Sequence, residues 1–311
     1  MTRTHGDEWK DPMSAKAFRT ALLTIAVATG ISLVAGGATT FAAPPADGGL
    51  APCGKNAVGL QNQIYFGTKV VKMPRPYASD FSRPDNVNFC NYNVGRGHLR
   101  FGHNGLDLAI PSNKQGVNNA EIISRIAFTK GLRSTVRVNG DRIRGLNGTV
   151  GWGVASRTLE YPQLQVAWFF YNDTDSNLGK LTSQLKPIAE HIAGGLPKGF
   201  FAMIKTENNL IPRVVQLPMS LLDSSHDYSV TATRSKTTFS IDGKTVADFA
   251  MVLSNTVHVI GYDKPVPLVF QTWLDSNYWF PYPTAQANRT GHAYRLERFA
   301  EGPIASTPTR F

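Results

Sequence analysis

Asp173, Asp175 and Asn177 stand two residues apart in the run Asp173-Thr174-Asp175-Ser176-Asn177. Two carboxyl groups held a few ångströms apart can break a glycosidic bond. One protonates the leaving oxygen while the other attacks or activates water. On a strand, positions i, i+2 and i+4 share a face, so this spacing can aim all three side chains one way. Asparagine at the third place has no acid proton to give. The same residues suit a polar turn, since Asp, Ser and Asn hydrogen-bond their own backbone. A calcium loop is the third reading, because D-x-D-x-N opens the EF-hand pattern. Against it, Gly179 falls at position seven instead of six, and Gln184 stands where position twelve needs glutamate.

Glu121, Glu160, Glu190, Glu207 and Asp275 are further candidates by residue type alone. Asp275 follows Trp273 at a strand end, where function often sits, and a turn-capping aspartate is the rival reading. Glu121 alternates with Ile122 and could face either way, whereas Glu190 falls in a helical stretch where solvation is the default. The chain has no G-x-S-x-G elbow, no H-E-x-x-H and no clustered Cys/His ligands. His191, His226, His258 and His292 are scattered. Aromatic residues are more concentrated. Tyr278-Trp279-Phe280-Pro281-Tyr282 packs four rings into five positions, with Trp273 upstream and Trp168 on an earlier strand. A ring with an apolar face and a polar edge matches a sugar, which presents C–H patches flanked by hydroxyls. Core packing is the alternative for Trp152, Trp168 and Trp273. The Tyr278–Tyr282 run lies among Asn and Pro in an apparent loop, where burying every ring is hard.

The elements that must position these groups are strands. Alternating apolar and polar residues mark His226–Thr233 and Thr237–Ile241, and Asp242-Gly243 between apolar runs signals a two-residue type I′ hairpin. Further strands are expected at His98–Phe101, Gly105–Ile110, Ala120–Phe128, Leu132–Asn139 and Thr149–Ala155. Leu164–Tyr171, Phe200–Lys205, Pro267–Leu274 and His292–Phe299 complete the set. Many short strands with frequent turns predict an all-β jelly-roll sandwich of two antiparallel sheets, not a βαβ fold. Leu181, Leu185, Ile188 and Ile192 recur at helical spacing and predict a short helical insert over Leu178–Ala193. From Pro44 to about Arg96 the text is rich in Gly, Pro and Asn, with one short strand at Gln63–Phe66. It reads as an irregular N-terminal arm, residues 44–96, wrapped on a single domain spanning 97–311.

Several segments, in order, resemble the family 16 glycoside hydrolases and their concanavalin A-like lectin and glucanase relatives. His226-Asp227-Tyr228 followed by Phe239-Ser240-Ile241-Asp242-Gly243-Lys244 is similar to the family's H-x-Y … F-x-hydrophobic-D-G-K signature. Asn104–Leu108 resembles its early strand, and Ala120–Arg125 with Gly131–Val138 resembles its next hairpin. Gly148–Gly153, Trp168–Tyr171 and Pro267–Tyr278 are similar to text of a bacterial branch. The resemblance covers roughly residues 97–300. It implies two bowed sheets whose concave side holds a glycan, and a structural place for His226 at the start of its strand. Retaining members carry E-x-D-x-E on one strand. This chain has that pattern nowhere, and Asp173–Asn177 is its nearest approach.

Composition narrows the setting. Lys16 and Arg19 precede an apolar run from Ala21 to Val34, with small residues at Gly36, Gly37, Ala38, Ala42 and Ala43. That order predicts a secretory signal peptide over residues 1–43, with Met13 an alternative start. The run is about 14 residues, short of the roughly 20 that span a bilayer, so no membrane span is expected after cleavage. Cys53 and Cys90 are the only cysteines, and in an exported chain an isolated pair reads as a disulfide. The formal net charge is +10 with no run of five basic residues, which gives no nucleic-acid footprint. The expected function is a secreted or cell-envelope protein that binds a polysaccharide or cell-wall glycan on a glucanase-like scaffold. The alternatives are a glycoside hydrolase using Asp173, Asp175 and Asp275 in a rearranged site, and a structural envelope protein. Sugar contact is expected at Trp168, Trp273, Tyr278, Trp279 and Tyr282, with no metal and no cofactor beyond a structural calcium.

Overall fold

A computed structural model describes residues 49–53, 76–112, 118–156, 165–173, 198–207, 209, 212–258, 265–276 and 288–304. All of them fall in one compact unit, Ala43–Phe311, while Met1–Ala42 lies outside the described residues. The strands are β1 (Tyr77–Ser79), β2 (Phe89–Asn91), β3 (His98–Gly102), β4 (Gly105–Ile110), β5 (Asn119–Ser124), β6 (Leu132–Asn139), β7 (Thr149–Ser156) and β8 (Val166–Asn172). They continue as β9 (Gly199–Lys205), β10 (Arg213–Leu217), β11 (Ser225–Ala232), β12 (Thr237–Ile241), β13 (Lys244–Phe249), β14 (Thr256–Val257), β15 (Val266–Asp275) and β16 (His292–Pro303). The pairing is antiparallel throughout these ladders. One sheet runs β13-β12-β11-β6-β16-β4-β3 with β1 on β16, and the other runs β10-β9-β8-β7-β15-β5-β2 with β14 on β15. The expected two-sheet antiparallel jelly-roll sandwich is what forms. Its helical content among the described residues is one 3₁₀ turn, Met219–Leu222.

The two sheets differ in how they meet water. In the first, β6 alternates strictly: Leu132, Ser134, Val136 and Val138 are buried, while Arg133, Thr135, Arg137 and Asn139 face outward half-exposed. Such a period is the mark of a sheet with one wet face. In the second, β7 and β8 are buried at every position. Residues pointing inward, such as Val150, Trp152, Phe169 and Phe200, join the inter-sheet core. Residues pointing the other way build a second apolar layer of Ala155, Val166, Trp168, Phe170, Phe201, Met203 and Trp273. This double burial explains the unbroken apolar run Val166–Tyr171.

The arm is stitched in more deeply than a surface wrap. β1 pairs with β16 and β2 with β5, so the segment adds one strand to each sheet. Phe81 and Phe89 enter the core, with ring centroids 5.4 Å apart and Phe89 5.8 Å from Phe299. The Cys53–Cys90 disulfide closes the arm onto β2. The hairpin at Asp242-Gly243 has φ of 50° and 79°, the positive pair a type I′ turn requires. The Leu178–Ala193 helix and the Gln63–Phe66 strand fall outside the described residues.

Candidate functional site

Every second residue of the second sheet points away from the inter-sheet core, and the strand registers align these residues into rows. Asn119, Asp275, Thr149 and Asn172 are successive partners across β5, β15, β7 and β8. Glu121, Trp273, Gly151, Phe170 and Phe201 make the next row. Ile123, Gln271, Gly153, Trp168 and Met203 make the third. This face mixes rings with amides and carboxylates, and it is buried: Trp273, Glu121 and Asp275 each show 0% exposure and Trp168 4%.

Burial favours polar groups that are paired, and most of those on this face are. The Trp273 indole N–H donates to Thr149 Oγ1 at 3.0 Å. That hydroxyl donates to Asp275 Oδ1 at 2.9 Å, and the Thr149 backbone N–H reaches the same oxygen at 3.3 Å. One row along, Glu121 accepts from both sides. The Gln271 amide donates to Oε1 at 2.7 Å and the Asn119 amide to Oε2 at 2.9 Å. Glycines leave space for the rings. A Cβ on Gly151 would come 2.1 Å from the Trp273 ring, so the indole occupies the volume a side chain would need. Trp168 meets Trp273 edge-on, with centroids 4.5 Å apart at 63°.

Below this face the charge of Glu121 is felt in the core. Burial, with a smaller push from Glu121, holds the Tyr294 phenol far above its ordinary range. Tyr294 in turn shares a hydrogen bond with the Thr272 hydroxyl.

Apart from Glu121 and Asp275, which share this face on neighbouring strands, the carboxylates named from sequence are dispersed. Asp173 is half-buried just past β8, where its N–H donates to Gly148 O at 3.2 Å and its carboxylate pairs with Lys198 at 3.1 Å. The Tyr171 phenol donates to it at 3.3 Å, and burial together with the Asp173 charge pushes that phenol up to about 12. Asp173 stands two strands from Asp275, a backbone separation of about 10 Å. Glu207 is half-buried after β9, beside Lys205, whose ammonium it holds up while burial pulls it down to about 8. Asp175, Glu160, Glu190, Tyr278, Trp279 and Tyr282 lie outside the described residues. His292 is buried and His258 exposed, on different elements. Among the described residues no cluster of three His, Cys, Asp or Glu could hold a metal, and no helix is long and apolar enough to cross a membrane.

What residue types alone did not reveal is the Asn119–Glu121–Gln271 ladder and the Thr149 bridge. Glu121 and Gln271 are 150 residues apart, and only the β5–β15 register brings them together. The sole local signal was Asn119 and Glu121 sharing one strand face.

Solved structures similar to the chain include a Bacillus licheniformis β-glucanase, at 11% identity over 74% of this chain and 99% of that one, with a TM-score of 0.48. A native glycosidic hydrolase aligns at 12% identity over 76% and 100%, TM-score 0.48. A prokaryotic β-1,3-1,4-glucanase (lichenase) from a mouse hindgut metagenome aligns at 14% over 74% and 99%, TM-score 0.46. No protein-family model matches the chain, and no curated protein matches it. Likeness at this level says nothing of activity, which has to be argued from the chain's own residues.

Proposed function

We propose that this is an exported polysaccharide-binding protein on a glucanase-like sandwich that has given up retaining glycosidase chemistry. The observation that carries this reading is the outward face of β8. That strand sends Val166, Trp168, Phe170 and Asn172 away from the inter-sheet core, and no carboxyl stands among them. A retaining pair needs two carboxyls about 5 Å apart, and an E-x-D-x-E strand would set them on such a face. Sugar contact is assigned to the Tyr278, Trp279 and Tyr282 rings, which follow β15 in sequence. Trp168 and Trp273 seat the end of β15 by packing on each other. The disulfide fits an oxidising compartment and so favours export.

Affinity electrophoresis through gels of neutral and acidic wall polysaccharides tests this. Retardation by at least one glycan is expected, weakened tenfold or more by Trp279→Ala with Tyr282→Ala, with no new reducing ends. Retardation by none favours the structural envelope protein.

A second reading rests on Glu121 and Asp275. They lie on neighbouring strands one diagonal step apart, which places their Cβ atoms about 7 Å apart. An inverting pair holds its two carboxyl groups roughly 6.5–9.5 Å apart, and both side chains here are fully buried, so water has to reach this face for them to act. Release of reducing ends that is abolished by both Glu121→Gln and Asp275→Asn would establish it.

A further inference from the structure

Away from the buried face, where β11 begins and the β12–β13 hairpin turns, three side chains stand in line. Ser224 Oγ lies 3.0 Å from His226 Nε2, and His226 Nδ1 lies 2.6 Å from Asp242 Oδ2. The other carboxylate oxygen, Oδ1, accepts the Asp227 backbone N–H at 3.0 Å. Burial works against the Asp242 charge, but that N–H, His226 and the Arg137 charge outweigh it and hold the carboxyl below its usual range. An ionised carboxylate at Nδ1 selects the imidazole tautomer with its proton on Nδ1. The Nε2 lone pair is then left facing the serine hydroxyl.

The imidazole is also braced from the side. It meets the Tyr228 ring edge-on at 6.2 Å, and the Tyr228 phenol is itself anchored on Leu221 O at 2.8 Å. Ser224 is exposed, and the His226 side chain keeps 21% of its surface. The neighbouring Ser225 is engaged elsewhere, donating to Glu297 Oε1 at 2.5 Å.

We propose that Ser224, His226 and Asp242 form a hydrolytic site for small O-acyl esters, independent of any glycan contact on the other sheet. Ser224 Oγ forms a bond to the ester carbonyl carbon while its proton passes to His226 Nε2. Collapse of the tetrahedral adduct breaks the ester C–O bond, and the imidazolium gives its proton to the leaving alkoxide. Water then attacks the acyl-serine, Nε2 takes the water's proton, and that proton returns to Oγ as the carboxylic acid departs. The balance is ester plus water to acid plus alcohol, with no oxidant or reductant. Arg144 pairs with the Asp223 carboxylate at 2.7 Å and donates to Met219 O at 2.9 Å, which ties down the turn that carries Ser224. Ser224 is exposed at the surface, and a short acyl group such as acetyl needs no binding pocket to reach it.

The test is reaction of the full chain with a fluorophosphonate probe and with p-nitrophenyl acetate. Expected are a covalent label mapped to Ser224 and turnover that both vanish in Ser224→Ala and persist in Ser225→Ala. Asp242→Asn should slow labelling about a hundredfold or more, with Asp242→Glu recovering part of the rate and the thermal midpoints serving as a fold control. A label on any other residue, no label, or turnover that survives Ser224→Ala overturns the proposal.

Discussion

The Trp273 indole sits directly over Gly151, close enough that a Cβ there would come within 2.1 Å of the ring. The contact is with a rigid ring held by its own hydrogen bond to Thr149, so it cannot slide away as a flexible chain would. Gly151→Ala is therefore an overpacking change, expected to cost about 1–3 kcal/mol or more. Equilibrium urea unfolding reads the loss, and tryptophan fluorescence should shift as the Trp168–Trp273 pair separates. An unchanged midpoint with unchanged fluorescence would mean that the indole does not occupy this place.

Thr149 joins Trp273 to Asp275 through one hydroxyl. Thr149→Val keeps the shape but removes one hydrogen bond from the buried indole N–H and one from the buried carboxylate. The expected loss is about 0.5–1.5 kcal/mol per hydrogen bond removed. The double variant Thr149→Val/Asp275→Asn should lose less than the sum of its parts, because both changes break the same link. Additive losses in the double-mutant cycle would show that the two residues act separately.

How much of this was readable in sequence follows from which faces are wet. β6 and β12 show a clean period of two because one side meets solvent. β8 shows none, since both its faces are buried, and its run of rings could not be divided into inward and outward residues without the β7 and β9 registers. β1 and β2 are three residues each, too short for any period, and exist because β16 and β5 offer them edges. β10 is exposed over Arg213, Val214, Val215 and Gln216, so no burial pattern marked it. The His226–Asp242 contact was half-legible: the turn residues were plain, but the histidine's reach across to them depends on the β11–β12 register. The Glu121–Gln271 bond was not legible at all.

The disulfide closes a loop of 37 residues. In the chain-entropy treatment a loop of this length is worth about 4 kcal/mol. Its loss should loosen β2 first, because Cys90 sits in that strand at the sheet edge. Cys53→Ala/Cys90→Ala is expected to lower stability by that order, with amide exchange quickening at Phe89–Asn91 ahead of β7 and β15. Equal quickening throughout would place the arm inside the main cooperative unit.

Lys205 is 1% exposed at the end of β9 and donates to Thr206 O at 3.4 Å. Burial pulls its ammonium down from 10.5 to about 8, with Glu207 opposing. The folded-state value lies below the unfolded one, so between pH 8 and 10.5 the unfolded chain binds the extra proton. Stability contributed at this site therefore rises as pH rises through that window. Below pH 8 the charged lysine is a full penalty, up to about 3 kcal/mol from the size of the shift. Lys205→Met should accordingly be more stable than the parent at pH 7, with its advantage fading toward pH 10. Tyr228 and Tyr294, whose phenols burial pushes upward, act the opposite way above pH 10. Comparing parent and variant at each pH cancels their effect. A variant advantage that stays constant from pH 7 to 10 would show that the ammonium is already solvated in the fold.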